Sequence, residues 1–330
     1  MKKRGGINKR ASVLLAVFVI LLGIGVSLLL VKPKTILYGT TFSTIHAREL
    51  GFDPVTLFQQ MLTDFSFSTV RIPVYWNDIE TSEHVRDYAE LDKLMDLAAQ
   101  HGAAVTMAIG EKVPRWPECF TPAWAQDSPT KDEALFSFMQ ETVDRYKTHP
   151  ALERWQVENE SYFPFGTCPS PDPQRERVEV QLVRKLDPDH PIVRTTSGEQ
   201  SVWVVEAIPA DVLGYSLYRI VENPVIGRFR FPHSARLYRV QTLLARLFAQ
   251  RVIVSELQAE PWLSLQDGVT TADQAALFTG KDLEENVHFA RRTGAKEVMF
   301  WGVEWWYFLQ KNTMPDLFNT ARAIVNGESL

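Results

Sequence analysis

The chain has 330 residues, with 45% hydrophobic and 23% charged residues and a net charge of −5. Such a composition suits a globular protein that buries a full core, and it leaves no basic footprint for nucleic acid. Two cysteines outside any CxxC pair and seven scattered histidines give no metal-ligand spacing. No Gly-rich phosphate loop is present, so no cofactor is expected.

Residues 1–10 carry five positive charges, and no charge occurs from Ala11 to Val31. As a helix, 21 apolar positions span roughly 31 Å, close to the hydrocarbon thickness of a bilayer. The charge bias puts the N-terminus in the cytoplasm. We therefore expect a basic tail over 1–10, a membrane anchor over 11–31 and one extracytoplasmic domain over 32–330. A cleaved signal peptide is the competing expectation, but Lys32-Pro33-Lys34 offers no small-x-small site. Either way a bond between Cys119 and Cys168 is permitted, and two free thiols remain equally open.

From residue 36 onward, short β-branched runs alternate with helical patterns. Strands are predicted over 36–42, 69–74, 103–109, 152–158, 191–196, 211–217, 252–256 and 296–301. Apolar stripes of helical period lie between them: Leu91, Leu94, Met95 and Ala98; Leu135, Met139, Val143 and Tyr146; Val240, Leu243, Leu244, Leu247 and Phe248. His101-Gly102 and Thr293-Gly294 read as helix stops. Eight alternations predict a (β/α)₈ barrel, with an open doubly wound sheet as the alternative.

Catalytic groups of such a barrel stand at the C-terminal ends of strands. The fourth strand ends at Asn159-Glu160 and the seventh at Glu256. A carboxylate at the end of an apolar strand is costly unless paired or wet. Two of them across one mouth fit glycoside hydrolysis, in which one carboxyl protonates the leaving oxygen and the other attacks the anomeric carbon. Seven tryptophans, Trp76, Trp116, Trp124, Trp262, Trp301, Trp305 and Trp306, fall at strand ends or in the following loops. There they could stack on sugar rings, whereas Trp155 and Trp203 read as packing. Glu158, placed by alternation on the same face as Glu160, and Glu260, four residues beyond Glu256, compete for the catalytic roles. His46 and His84 read as loop histidines without a role. Lys112 and Arg115 stand beside Trp116, where they could meet sugar hydroxyls. Arg219, Arg228, Arg230, Arg236 and Arg239 read as a solvated face with counter-charges.

Asn-Glu closing the fourth strand, Glu closing the seventh and Trp closing the eighth resemble the clan A glycoside hydrolases. The run SELQAEPW is closest to family 5 and its cellulase-like relatives. The resemblance covers residues 36–325. It implies Glu160 as acid/base, Glu256 as nucleophile and Asn159 as partner of the substrate 2-hydroxyl. It further implies that Arg71 and Tyr218 hold Glu256 and that Trp301 floors the pocket, with Trp76, Trp262 and Trp116 as further sugar contacts. Ser161 stands where relatives carry proline, and Ser216-Leu217-Tyr218 where family 5 carries His-x-Tyr. The activity expected is retaining hydrolysis of a β-linked oligo- or polysaccharide. A tethered carbohydrate-binding barrel and a surface transglycosylase are the alternatives.

Overall fold

The computed structural model describes residues 9–29, 36–208, 210–223, 227–262 and 268–327. Eight strands run in parallel: β1 Leu37–Thr41, β2 Thr69–Pro73, β3 Ala104–Ile109, β4 Leu152–Val157, β5 Ile192–Thr196, β6 Val212–Leu217, β7 Arg251–Gln258 and β8 Glu297–Trp301. They pair in chain order, and β1 also pairs with β8 from Leu37↔Glu297 to Thr40↔Phe300, so the sheet closes into a barrel. Closure excludes the open doubly wound sheet.

Local chemistry sets the helix ends. Asp53 caps the helix Pro54–Phe65 by accepting from Thr56 N at 2.8 Å, with proline at its first turn. Thr279 and Asp282 form a reciprocal capping box on the helix Gly280–Thr293, which stops at left-handed Gly294 as its sequence predicts. The stripes through Leu91 and Leu135 are buried as expected. The third stripe is corrected: the helix Ala235–Ala245 ends early and buries Ala235, Tyr238, Thr242 and Ala245 instead. Tyr238 wins that face because it packs on Trp203, Tyr215 and Phe289, which leaves Leu247 and Phe248 exposed.

The barrel interior combines an apolar cluster of Val193, Val212 and Ile253 with buried polar groups. Arg154 binds Glu297 across the lower barrel and donates to Thr106 Oγ1 at 2.7 Å. Higher up, Arg71 donates to Thr41 Oγ1 at 2.9 Å and to Gln156 Oε1 at 3.2 Å. These groups satisfy one another in a layer that an aliphatic core would otherwise fill.

The N-terminal helix runs over Lys9–Leu29. Among the described residues no helix is long and apolar enough to cross a membrane. Residues 1–8 and 30–35, which hold most of the expected basic tail and one end of the expected anchor, lie outside the described residues.

A disulfide joins Cys119 to Cys168, with Cα atoms 5.3 Å apart, and settles the pairing that the sequence left open. It ties the loop after β3 to the loop after β4. Replacing both cysteines by alanine should cost about 2–4 kcal/mol, because the bridge closes a long loop in the unfolded chain. Calorimetry of the variant against the oxidised protein checks this. An unchanged Tm would mean that other contacts alone hold the two loops.

Candidate active site

The C-terminal ends of the strands surround a cleft of about 830 Å³. Glu160 and Glu256 both line it. Each reaches it through an irregularity that breaks strand alternation. On β7, Val252 and Val254 face the helices while Ile253 faces the barrel interior. Strict alternation would send Glu256 outward with Val254. The register slips at this point against both neighbours: Tyr215↔Val254 is followed by Ser216↔Glu256, and Val298↔Val254 by Phe300↔Leu257. This bulge turns Glu256 inward beside Ser255.

After β4 the backbone turns left-handed at Glu158 (φ 55°) and again at Glu160 (φ 43°). The expectation that Glu158 shares a face with Glu160 is therefore corrected. Glu158 folds beneath the β3 loop, where its two oxygens accept from Glu111 N and Lys112 N, each at 2.8 Å. Glu160 N donates to Thr195 Oγ1 at 2.8 Å, which fixes its backbone at the cleft.

The two cleft glutamates have different surroundings. Arg71 Nη2 donates to Glu256 Oε1 at 2.7 Å and Tyr218 OH donates to Oε2 at 2.9 Å. Glu160 has no cationic partner within 4 Å among the described residues, and its Oε1 is buried without a hydrogen bond. Burial and the charge of Glu256 push the Glu160 carboxyl up to about 7. The competitor Glu260 lies on the same cleft. Burial works to raise it, but Arg115, with Nη1 2.7 Å from Oε1, and His46 outweigh burial and bring it down to about 2. The site therefore holds Glu256 paired with Arg71, Glu260 as a carboxylate at neutral pH, and at Glu160 a carboxyl poised to give up a proton.

Asn159 Oδ1 accepts from Thr195 Oγ1 at 3.1 Å and Gln156 Nε2 at 3.2 Å, which turns Nδ2 toward Glu118. Trp301 lies at the base of the cleft with the Arg115 guanidinium 4.3 Å from its ring centre. Trp262 stands edge-on to Tyr218 at 5.2 Å, and Trp116 is a rim residue, 59% exposed.

Other sequence expectations are corrected. Trp76 is fully buried away from the cleft, donating to Glu80 Oε2 at 2.9 Å and stacking on Phe138. Trp305 and Trp306 are likewise core residues, and Trp124 packs on Trp76. Three of the seven expected platforms, Trp116, Trp262 and Trp301, line the cleft. Lys112 turns inward and donates to the Glu160 and Phe163 carbonyls at 3.2 and 2.8 Å. His46, expected to have no role, lines the cleft, whereas His84 is an exposed loop residue. Arg228 and Arg230 pair with Asp282 and Glu285, the counter-charges expected of a solvated face.

Sequence reasoning missed Glu118 and Glu199, both on the cleft, and a hairpin pairing Ile220–Asn223 with Gly227–Arg230. That hairpin brings Val221 and Phe229 to the cleft wall. Its short runs flank residues 224–226, and nothing in their alternation marks them out from a loop.

No protein-family model matches the chain. A segment of 119 residues is 31% identical to the β-galactosidase BgaB of Geobacillus sp. (strain Y412MC61), covering 28% of this chain and 17% of that protein. Among solved structures, a GH5_18 protein from Streptomyces cattleya superposes with a TM-score of 0.56 at 15% identity, over 82% of this chain and 71% of that one. A catalytic mutant of Gan42B, a GH42 β-galactosidase from G. stearothermophilus, also gives 0.56 at 15% identity, over 81% and 51%. At these identities the likeness shows the fold, a (β/α)₈ barrel that the chain shares with these glycoside hydrolase structures. The match to BgaB spans about a sixth of that relative's length.

The raised Glu160 carboxyl has a consequence for stability. Between its ordinary 4.5 and about 7, the folded chain holds a proton here that the unfolded chain has released. Stability therefore falls as pH rises through that window. Glu160→Gln, which cannot ionise, should be more stable than the parent by on the order of 1–3 kcal/mol above pH 7 and nearly equal to it at pH 4. Denaturant unfolding at both pH values checks the difference. An equal effect at both would place the Glu160 carboxyl in the ordinary range.

Proposed function

We propose that this chain is a retaining glycosidase acting on a β-linked oligo- or polysaccharide. The observation that carries the proposal is the unequal pair in one cleft: Glu256 held by Arg71 and Tyr218, Glu160 without an ion-pair partner and raised to about 7. In this reading Glu160 protonates the leaving glycosidic oxygen while Glu256 attacks the anomeric carbon. Water then attacks the glycosyl-enzyme, with Glu160 now accepting its proton. Arg71 and Tyr218 fix the nucleophile without blocking its approach, since each takes one oxygen edge. Asn159 offers Nδ2 to the 2-hydroxyl of the reacting sugar. Trp301 floors that sugar, and Trp262 and Trp116 contact the units beyond it. The likeness to β-galactosidases and to the family 5 barrel supports the assignment.

Glu160→Gln and Glu256→Gln should each lower kcat/KM on an activated β-glycoside by about 10²–10⁴ or more. A 2-fluoro sugar should label Glu256, and parent activity should fall as pH rises through about 7. Full activity in both variants, or crippling by Glu158→Gln in their place, sinks the assignment.

We further propose that residues 11–31 hold the domain at the outer face of a membrane. The support is the uncharged run from Ala11 to Val31 behind a basic start. Its side chains at Val13, Leu15, Phe18, Val19 and Leu21 are more than half exposed. The full chain should fractionate with membranes and resist carbonate extraction, while a chain starting at residue 32 should be released. Release of the full chain by carbonate, or its trimming to a shorter mature form, would replace the anchor with a peripheral or secreted protein.

A further inference from the structure

Apolar side chains cluster on one outer face of the barrel. Val202, Val205 and Ile208 recur every third residue at and beside the short helix Val204–Ala207, and each is at least 58% exposed, while Trp203 and Ala207 turn inward. Leu237 on the helix Ala235–Ala245 is 45% exposed, and Leu247 and Phe248 just beyond its end are 68% and 50% exposed. Trp203 packs edge-on against Tyr238, with ring centres 5.5 Å apart, and so joins the two segments from beneath. Gln250 N donates to Asp211 O at 3.1 Å, which brings their far ends together before β6 and β7. Apolar residues gathered on one face mark an interaction surface, whereas singly scattered ones need no explanation.

The face has a basic rim. From Gly227 to Gln250 the chain carries five arginines and no acid. Arg228 and Arg230 reach across to Asp282 and Glu285. Arg236 and Arg246 are exposed, and no carboxylate among the described residues pairs with them. Burial and the charge of Arg246 both lower the Arg239 guanidinium from its ordinary range, so two cations of this segment stand close together. The chain as a whole is acidic, and more so without the five basic residues of 1–10, so the rim is a local feature.

The face also has a fixed place relative to the cleft and the N-terminus. Ile208, Leu247 and Phe248 precede the N-terminal ends of β6 and β7, the end of the barrel opposite the cleft. The helix Lys9–Leu29, which carries most of the uncharged run, lies against the helix Ala235–Ala245 and leaves the six apolar side chains exposed. Residues 30–35 join it to the barrel and can span at most about 25 Å.

We infer that this face rests on an anionic lipid bilayer, with its apolar side chains in the interface and its arginines on headgroup phosphates, so that the cleft opens away from the lipid. The inference builds on the membrane placement proposed above and adds a second contact, made by the barrel itself. An apolar strip flanked by arginines suits the boundary between acyl chains and headgroups. A second copy docked by the same face would set its own arginines against these, which disfavours a symmetric dimer.

The barrel and its core are built from residues 36–325, so a chain starting at residue 32 keeps the fold and tests the face without the anchor. Its co-sedimentation is measured with vesicles of phosphatidylcholine alone and with about one-third phosphatidylglycerol. It should bind the anionic vesicles at least about tenfold more tightly, given roughly fivefold per arginine at such a surface, and lose that preference in high salt. Leu247→Glu with Phe248→Glu should lower binding at least about tenfold, and Arg236→Glu with Arg246→Glu should abolish the anionic preference. All four positions are on the surface, so an unchanged Tm shows that each variant is folded. Absence of vesicle binding, or binding that these variants leave unchanged, overturns the inference, and a carbonate-resistant full chain would still leave the anchor standing. A dimer of the shortened chain that Leu247→Glu with Phe248→Glu breaks, without vesicle binding, assigns the face to a second copy and overturns it as well. Carbonate release of the full chain beside vesicle binding by the shortened one removes the anchor and keeps the inference.

Discussion

Two carboxyl groups buried in one cleft repel each other, and the strands below this site are arranged to make them unequal. Arg71 lies under the cleft with its guanidinium already engaged by Thr41 and Gln156, so it meets Glu256 as a fixed fork. Tyr218 adds a second donor to the same carboxylate. Glu160 receives neither. One of the pair is thus held by a cation and a phenol, while burial and the nearby charge of Glu256 push the other up to about 7. Splitting the pair into a base and an acid needs this asymmetry, and the proposed chemistry follows from it.

The asymmetry relies on backbone irregularity. A bulge on β7 turns Glu256 inward, and two left-handed residues after β4 separate Glu158 from Glu160. Such conformations cost energy and persist where the surroundings over-determine them. Here Glu158 is clamped by two backbone amides and Glu160 N by Thr195. The structure also gives Glu260 a different duty from the one its position in the chain suggests. Locked to Arg115 and close to His46, it orders the wall behind Trp301.

The loop after β3 forms one wall of the cleft. It brings Arg115, Trp116 and Glu118 to one side, and the bridge from Cys119 to Cys168 ties it to the loop carrying Phe163 and Phe165. Lys112 reinforces the tie by reaching the Glu160 and Phe163 carbonyls from behind. The side chain that looked like a sugar contact in the sequence instead fastens the catalytic loop to its neighbour.

All eight barrel strands and the strand-end positions of Glu160 and Glu256 were legible in the amino-acid sequence, because strand–helix alternation and the ends of strands are local properties of the chain. That Arg71 and Tyr218 hold Glu256 was implied by the family resemblance, and the structure places both against that carboxyl. What the sequence did not disclose depends on contacts between distant segments. Trp76, Trp305 and Trp306 have the same composition and strand-end placement as Trp262 and Trp301, and only packing decides which of them meets the core. Leu247 and Phe248 continue a helical stripe that Tyr238 displaces by a better fit against Trp203 and Tyr215. Glu118 carries no mark in its neighbourhood of the chain. Its place beside Asn159 exists because a disulfide and a glycine from another loop hold it there. Periodicity therefore determined the barrel and put two acids at strand ends, while the bulge on β7 and the left-handed turns after β4 brought them into one cleft. The tertiary structure alone decided their surroundings, since burial and charge pairing are fixed by residues far apart in sequence.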